Sequence, residues 1–164
     1  MKRIHYLIIS LLCLCLLTTA LYLQYWGYEG INFAPCPLCI LQRVGYLGVM
    51  LFCLLAATFN SSRKLFHWFA IGSAGYGLAT ASRQIWVIIH PGSSCGIDPL
   101  EVFINQFALT RSIPWFFRAD GFCSTPLPPI LGLSVPAWSL VWFTILLVSL
   151  FIGLFCFKSK KSHS

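Results

Sequence analysis

Cys36-Pro37-Leu38-Cys39 stands at the mouth of one apolar stretch, and Cys95 and Cys123 fall in a long segment between two others. Two cysteines separated by two residues can close and reopen a small disulfide, and a thiolate attacks a disulfide sulfur through a mixed-disulfide intermediate. A loop that small restrains little chain entropy, so a structural staple is a weak reason for the spacing. With the second pair, the residues point to electron exchange between disulfides. Four cysteines permit three pairings, and spacing alone does not choose among them.

The setting of the first pair favours reactivity. Pro37 suits the first position of a helix. A helix start is electropositive and favours the thiolate of a cysteine placed there. Arg43 follows Cys39 by four residues, so both project from one helical face about a turn apart. A cation just inside a membrane is costly and marks function, here support of a Cys39 thiolate and of an anionic electron acceptor; its plainer role is to snorkel to the interface. Arg83 is a second such cation, and Gln84 beside it is placed to hydrogen-bond a carbonyl ligand or a neighbouring helix. A structural zinc site needs two short-spaced pairs, which Cys95 and Cys123 do not make, so no metal is expected. Cys13, Cys15, Cys53 and Cys156 lie within apolar stretches and read as small buried hydrophobes.

The elements that position these groups are membrane helices. Of 164 residues, 58% are hydrophobic and 9% charged, against roughly 25% charged in a soluble domain. Four stretches, residues 4–23, 38–59, 65–89 and 134–157, each approach or exceed the roughly 20 residues that cross a bilayer. In lipid such segments must be helical, because the backbone has no other hydrogen-bond partners. The expected architecture is all-α: one membrane domain over residues 1–164, a four-transmembrane-helix bundle with outer loops 24–37 and 90–133. Lys2, Arg3, Arg63, Lys64, Lys158, Lys160 and Lys161 fall on one side of it, and Glu29, Asp98, Glu101 and Asp120 on the other. The positive-inside rule therefore places both termini in the cytoplasm and both cysteine pairs outside. The net charge of +7 is thus a topology signal and not a nucleic-acid footprint.

Within the long outer loop, Leu100, Phe103, Ile104 and Phe107 have helical spacing. They suit a short interfacial helix, with Trp115, Phe116 and Phe117 as further anchors, or an apolar cluster packed on the bundle top. Ser73, Gly77 and Ala81 make a small-residue stripe that admits a close helix neighbour. Thr18-Thr19-Ala20 after the first apolar run resembles a cleavage site, but the run exceeds a typical signal peptide's core of roughly 7–15 residues, and a retained helix is expected.

The run Ala34-Pro35-Cys36-Pro37-Leu38-Cys39-Ile40-Leu41-Gln42-Arg43 resembles the signature of the disulfide-bond formation protein B (DsbB) family. Leu131-Gly132-Leu133-Ser134-Val135-Pro136-Ala137-Trp138 resembles that family's entry into its last helix. The resemblance implies a protein-disulfide oxidoreductase of the bacterial inner membrane. Such proteins reoxidise a periplasmic thioredoxin-fold dithiol oxidase (DsbA-like) and pass two electrons to ubiquinone or menaquinone. By matching position, Cys95 takes the attack of the partner's thiolate, Cys123 is its disulfide partner, Cys36 exchanges with that pair, and Cys39 meets the quinone beside Arg43. Gln84 falls where some members carry a histidine. A DsbA-like dithiol lies near −120 mV, too oxidising for a glutathione-like pool to restore, so a quinone acceptor makes thermodynamic sense.

The chain departs from the pattern locally. After Cys123 it reads Ser-Thr-Pro-Leu-Pro-Pro-Ile, where many relatives carry an acidic residue and a tryptophan, which bears on partner choice. A specialised relative serving one dedicated partner is the variant of this reading. The reading from another class is a non-catalytic assembly or transport protein with structural disulfides, against which stands the scarcity of ionisable residues in the spans beyond Arg43 and Arg83.

Overall fold

All four apolar stretches are helical. The computed structural model describes residues 3–27, 34–90, 106, 110, 112–117, 121 and 129–161, with side chains of the last helix described to Leu154. The long helices are α1 (Arg3–Trp26), α2 (Pro37–Thr58), α3 (Arg63–Ile89) and α5 (Val135–Lys161), with a single-turn α4 (Pro114–Phe117) between the last two. The amphipathic segment 100–107 lies outside the described residues except for Gln106, which is helical.

By length and composition, α1, α2 and residues Val135–Leu154 of α5 are apolar enough to cross a membrane. The 27 residues of α3 extend about 40 Å at 1.5 Å each, but Arg63, Lys64, His67, Arg83 and Gln84 make it more polar. The surface is apolar along all four. Leu11 on α1, Leu51 on α2, Trp68 on α3 and Ile152 on α5 are each more than half exposed, a pattern that suits lipid as the solvent.

The helices pack in chain order, α1 on α2, α2 on α3 and α3 on α5. The small residues allow this. A Cβ on Gly45 of α2 would stand 3.0 Å from the Gly77 Cα of α3, and one on Gly48 would stand 2.6 Å from Ser73 Oγ. The Phe143 ring of α5 fills the space over Gly77 and stacks on Tyr46 of α2, with centroids 4.1 Å apart. Ser73 and Gly77 of the expected stripe thus form the α2–α3 contact.

The ends are closed by local chemistry. The Arg63 guanidinium donates Nε–H to Ala56 O at 3.2 Å, satisfying a carbonyl at the end of α2. Before α5, Ile130 and Leu133 exchange backbone hydrogen bonds of 2.9 and 3.2 Å around Leu131 and Gly132, both at positive φ. Trp138 Nε1 closes that turn on Ile130 O at 2.9 Å. Toward the opposite end of α1 and α3 from Cys36 and Cys39, the Tyr6 hydroxyl meets His67 Nδ1 at 3.0 Å, with both residues fully buried. That cross-link was not anticipated from the sequence, where His67 carries no distinguishing spacing.

Two substitutions in one helix separate packing from propensity. Gly77→Ala drives a Cβ into the Phe143 ring, whereas a Cβ at Gly72 meets nothing. Gly77→Ala should destabilise by about 1–3 kcal/mol, and Gly72→Ala should be neutral or stabilising by up to about 1 kcal/mol. Unfolding of the detergent-solubilised protein measures both.

Candidate functional site

Cys36 is the N-cap of α2, in extended conformation with φ −81° and ψ 165°, and Pro37 occupies the first turn. Its sulfur takes the role usually played by a serine or aspartate oxygen, accepting the Cys39 backbone N–H at 3.3 Å. This capping geometry folds the two side chains together, and the sulfurs lie 2.9 Å apart. Cys36 is buried and Cys39 is partly open.

Three polar side chains converge on the pair. Gln84, from α3, donates its Nε2 hydrogens toward Cys36 Sγ at 3.3 Å and Cys39 Sγ at 3.2 Å. Gln42, one turn after Cys39 on α2, donates to Gln84 Oε1 at 2.6 Å. The Arg43 guanidinium donates to Phe116 O at 2.9 Å and lies 5.7 Å from the centroid of the Phe116 ring. All three are at least nine-tenths buried.

A cavity opens beside Cys39. Arg43 and Gln84 line it, with Ala20 and Leu23 of α1 on one side and Pro136 of α5 on another. The turn α4 is fixed at this end of the bundle from two helices: Tyr25 of α1 donates to Trp115 O at 3.1 Å, and Arg43 of α2 holds the next carbonyl. Trp115 is exposed, whereas Phe116 joins the core.

Cys95 and Cys123 lie outside the described residues. Gly121, two residues before Cys123, is described: its N–H donates to Pro35 O at 3.1 Å, next to Cys36, and a Cβ there would collide with Ala34 O. Arg83 is not in the cavity. It is exposed, with its guanidinium 4.5 Å from the Trp86 ring centroid. Cys13 and Cys53 are buried, Cys15 is exposed on the apolar surface, and the Cys156 side chain lies outside the description. Among the described residues, no group of three His, Cys, Asp or Glu side chains is arranged to hold a metal.

Sequence reasoning passed over Gln42, although its i, i+3 spacing from Cys39 puts it on the same face. It also passed over Tyr46, a cavity-lining residue seven positions from Cys39.

A dithiol capping an apolar, span-length helix beside a buried cation and a cavity defines a membrane thiol–disulfide redox protein. The chain belongs to the DsbB family: the family model described as disulfide bond formation protein DsbB matches residues 2–153. It is similar to disulfide bond formation protein B of Cupriavidus necator, 44% identical over 93% of this chain and 92% of that one. It is also similar to the protein of that name from Ralstonia nicotianae, 40% identical over 93% and 94%, and to disulfide bond formation protein B 1 of Pseudomonas putida, 39% identical over 94% and 90%. Its redox chemistry serves disulfide formation.

The clamp on α4 is testable. A hydrogen bond from a charged donor contributes roughly 1.5–3 kcal/mol. Arg43→Leu should therefore speed hydrogen exchange of the amides in 112–117 by about tenfold or more, while leaving α2 and α3 amides protected.

Proposed function

We propose that this chain is a quinone-dependent thiol oxidase of the bacterial inner membrane that reoxidises a periplasmic thioredoxin-fold dithiol oxidase. The observation that carries the reading is the Cys36–Cys39 pair at the start of a span-length helix, with Cys39 facing the cavity that Arg43 and Gln84 line. All four long helices cross the bilayer, both termini are cytoplasmic, and the cysteine pairs are periplasmic. The exposed Trp68, Phe69 and Tyr76 support a lipid-facing surface on α3.

The exchange balances as follows. The partner's thiolate attacks Cys95 of a Cys95–Cys123 disulfide, forming a mixed disulfide and releasing the Cys123 thiolate. Cys123 attacks Cys36 of the Cys36–Cys39 disulfide, and Cys39 leaves as thiolate. The partner's second thiol then displaces Cys95, closing the partner's disulfide, and the freed Cys95 thiolate attacks Cys123 of the Cys123–Cys36 bond, re-forming the loop disulfide and releasing the Cys36 thiolate. Two electrons now reside on Cys36 and Cys39. The hydrogen bond from Gly121 to Pro35 supports the transfer step, because Cys123 follows Gly121 by two residues, about 7 Å of chain at most.

The cavity residues fit a quinone: apolar walls from α1 and α5, a guanidinium for a developing negative charge, and a thiol at the reacting edge. A bound quinone supplies the two-electron sink. Arg43 holds its charge close to Cys39 and compensates the thiolate there. Arg83, at the interface, anchors the outer end of α3.

Under anaerobic conditions, the purified protein should consume one ubiquinone or menaquinone per reduced partner dithiol, read by quinone absorbance and partner thiol count. Cys39→Ser should abolish quinone reduction, and Cys95→Ser should abolish capture of the partner. If both quinones stay oxidised while the protein is folded and disulfide-bearing, the oxidase reading fails and structural disulfides take its place. Gly121→Ala should slow partner-driven turnover about tenfold, a displacement cost of roughly 1–3 kcal/mol. It should leave quinone oxidation of chemically reduced Cys36 and Cys39 unchanged.

A further inference from the structure

Gln42 and Gln84 are 4% and 5% exposed and sit against the reactive sulfurs. The exchange steps are complete without them. A buried amide must nonetheless be satisfied, and its two ends differ: the oxygen only accepts and the nitrogen only donates. Gln42 Nε2 holds Gln84 Oε1 at 2.6 Å. With its oxygen so engaged, Gln84 can direct only N–H groups at Cys36 and Cys39, and it reaches both sulfurs. With Gln42 in this orientation, a flip of the Gln84 amide would set donor against donor at Gln42 and carbonyl oxygen against sulfur.

We infer that Gln42 is a positioning residue that locks the Gln84 amide with its N–H groups toward Cys36 and Cys39, and that Gln84 thereby favours the reduced pair over its disulfide. When the Cys36–Cys39 bond breaks, the sulfur that leaves carries negative charge and becomes a strong acceptor. The disulfide it came from is a poor one. A donor already in place therefore stabilises the dithiol state selectively, at no cost in reorganisation. Neutral amides do this without burying another ion, which would carry its own desolvation cost. The glutamine pair is thus a fixed setting of redox poise, distinct from the cation that Arg43 supplies. The inference rests on Cys36–Cys39 being the working pair of the proposed oxidase.

The test reads the sulfurs without quinone or partner. Full-length protein carrying Cys95→Ser and Cys123→Ser is equilibrated in detergent with mixtures of reduced and oxidised dithiothreitol. The thiol state of the peptide bearing Cys36 and Cys39 is then read by alkylation and mass spectrometry. Gln84→Leu should shift the equilibrium about tenfold toward the disulfide, which is about 30 mV for two electrons. Gln42→Leu, which touches neither sulfur, should shift it a few-fold in the same direction. The double variant should shift it no further than Gln84→Leu alone, because Gln42 acts through Gln84.

Unshifted equilibria in folded Gln84→Leu and Gln42→Leu proteins overturn the inference, and so do additive effects of the two. Should Gln84→Leu fail to fold, Gln42→Leu decides by itself. A shifted equilibrium in a protein that reduces no quinone sinks the oxidase reading and keeps this one. Normal quinone turnover with an unshifted equilibrium does the reverse.

Discussion

The hydrogen bond from the Cys39 amide to Cys36 Sγ ties the reactive pair to the geometry of a helix start. A helix beginning in or near lipid leaves N–H groups without intrahelical partners, and each must find an acceptor. Here the acceptor is the sulfur of the first cysteine of the Cys-x-x-Cys motif. The cap fixes the Cys36 side chain and, through it, the 2.9 Å approach of the two sulfurs. Pro37 contributes by lacking one of the orphan donors and by holding φ near the helical value. The same four residues therefore start a membrane helix and present a dithiol, and neither role disturbs the other.

From that start the bundle extends inward by close backbone contact. Gly45 and Gly77, and Gly48 and Ser73, bring α2 and α3 together along their length. Only at that separation does Gln84 of α3, one residue type among many apolar ones, reach both sulfurs of α2. Gln84 lies two turns beyond Gly77, so a wider crossing forced by larger residues there would carry its amide out of hydrogen-bonding range, where the interaction weakens steeply. The packing in the middle of α2 and α3 thus sets the electrostatics at the start of α2. Phe143 serves the same end from the opposite helix, filling over Gly77 the space that the glycines leave open.

The long helices were legible because lipid imposes one rule on length and polarity: each expected span matches a helix to within a few residues at either end. The cysteine motif and Arg43 were legible because sequence proximity on one helix is spatial proximity. What escaped was pairing between helices. A hydrogen bond from Gln84 to a neighbouring helix was foreseen, but its partner was not: Gln42 is an ordinary residue until a particular rotation of α2 against α3 sets it against Gln84, and rotation is encoded in many small contacts. His67 with Tyr6 escaped for the same reason. Arg83 and Gln84 are neighbours in the chain, yet a 100° step around the helix sends one to the surface beside Trp86 and the other to the sulfurs. Adjacent polar residues on a helix are separable only once the buried face is known.

The arrangement of polarity at the site carries the last step. In a medium of low dielectric, an isolated charge is costly, and a charge opposite a pre-set donor or counter-charge is far less so. Around Cys39 the protein has arranged two amides and one guanidinium, all anchored by other groups: Gln42 on Gln84, Phe116 O on Arg43. Among the described residues, a backbone carbonyl and an aromatic face hold the guanidinium. The bond to a carbonyl of α4 ties the closure of the bundle end to a side chain that lines the cavity beside Cys39. The local fold around Phe116 and the charge balance at Cys39 are in this sense one structural decision.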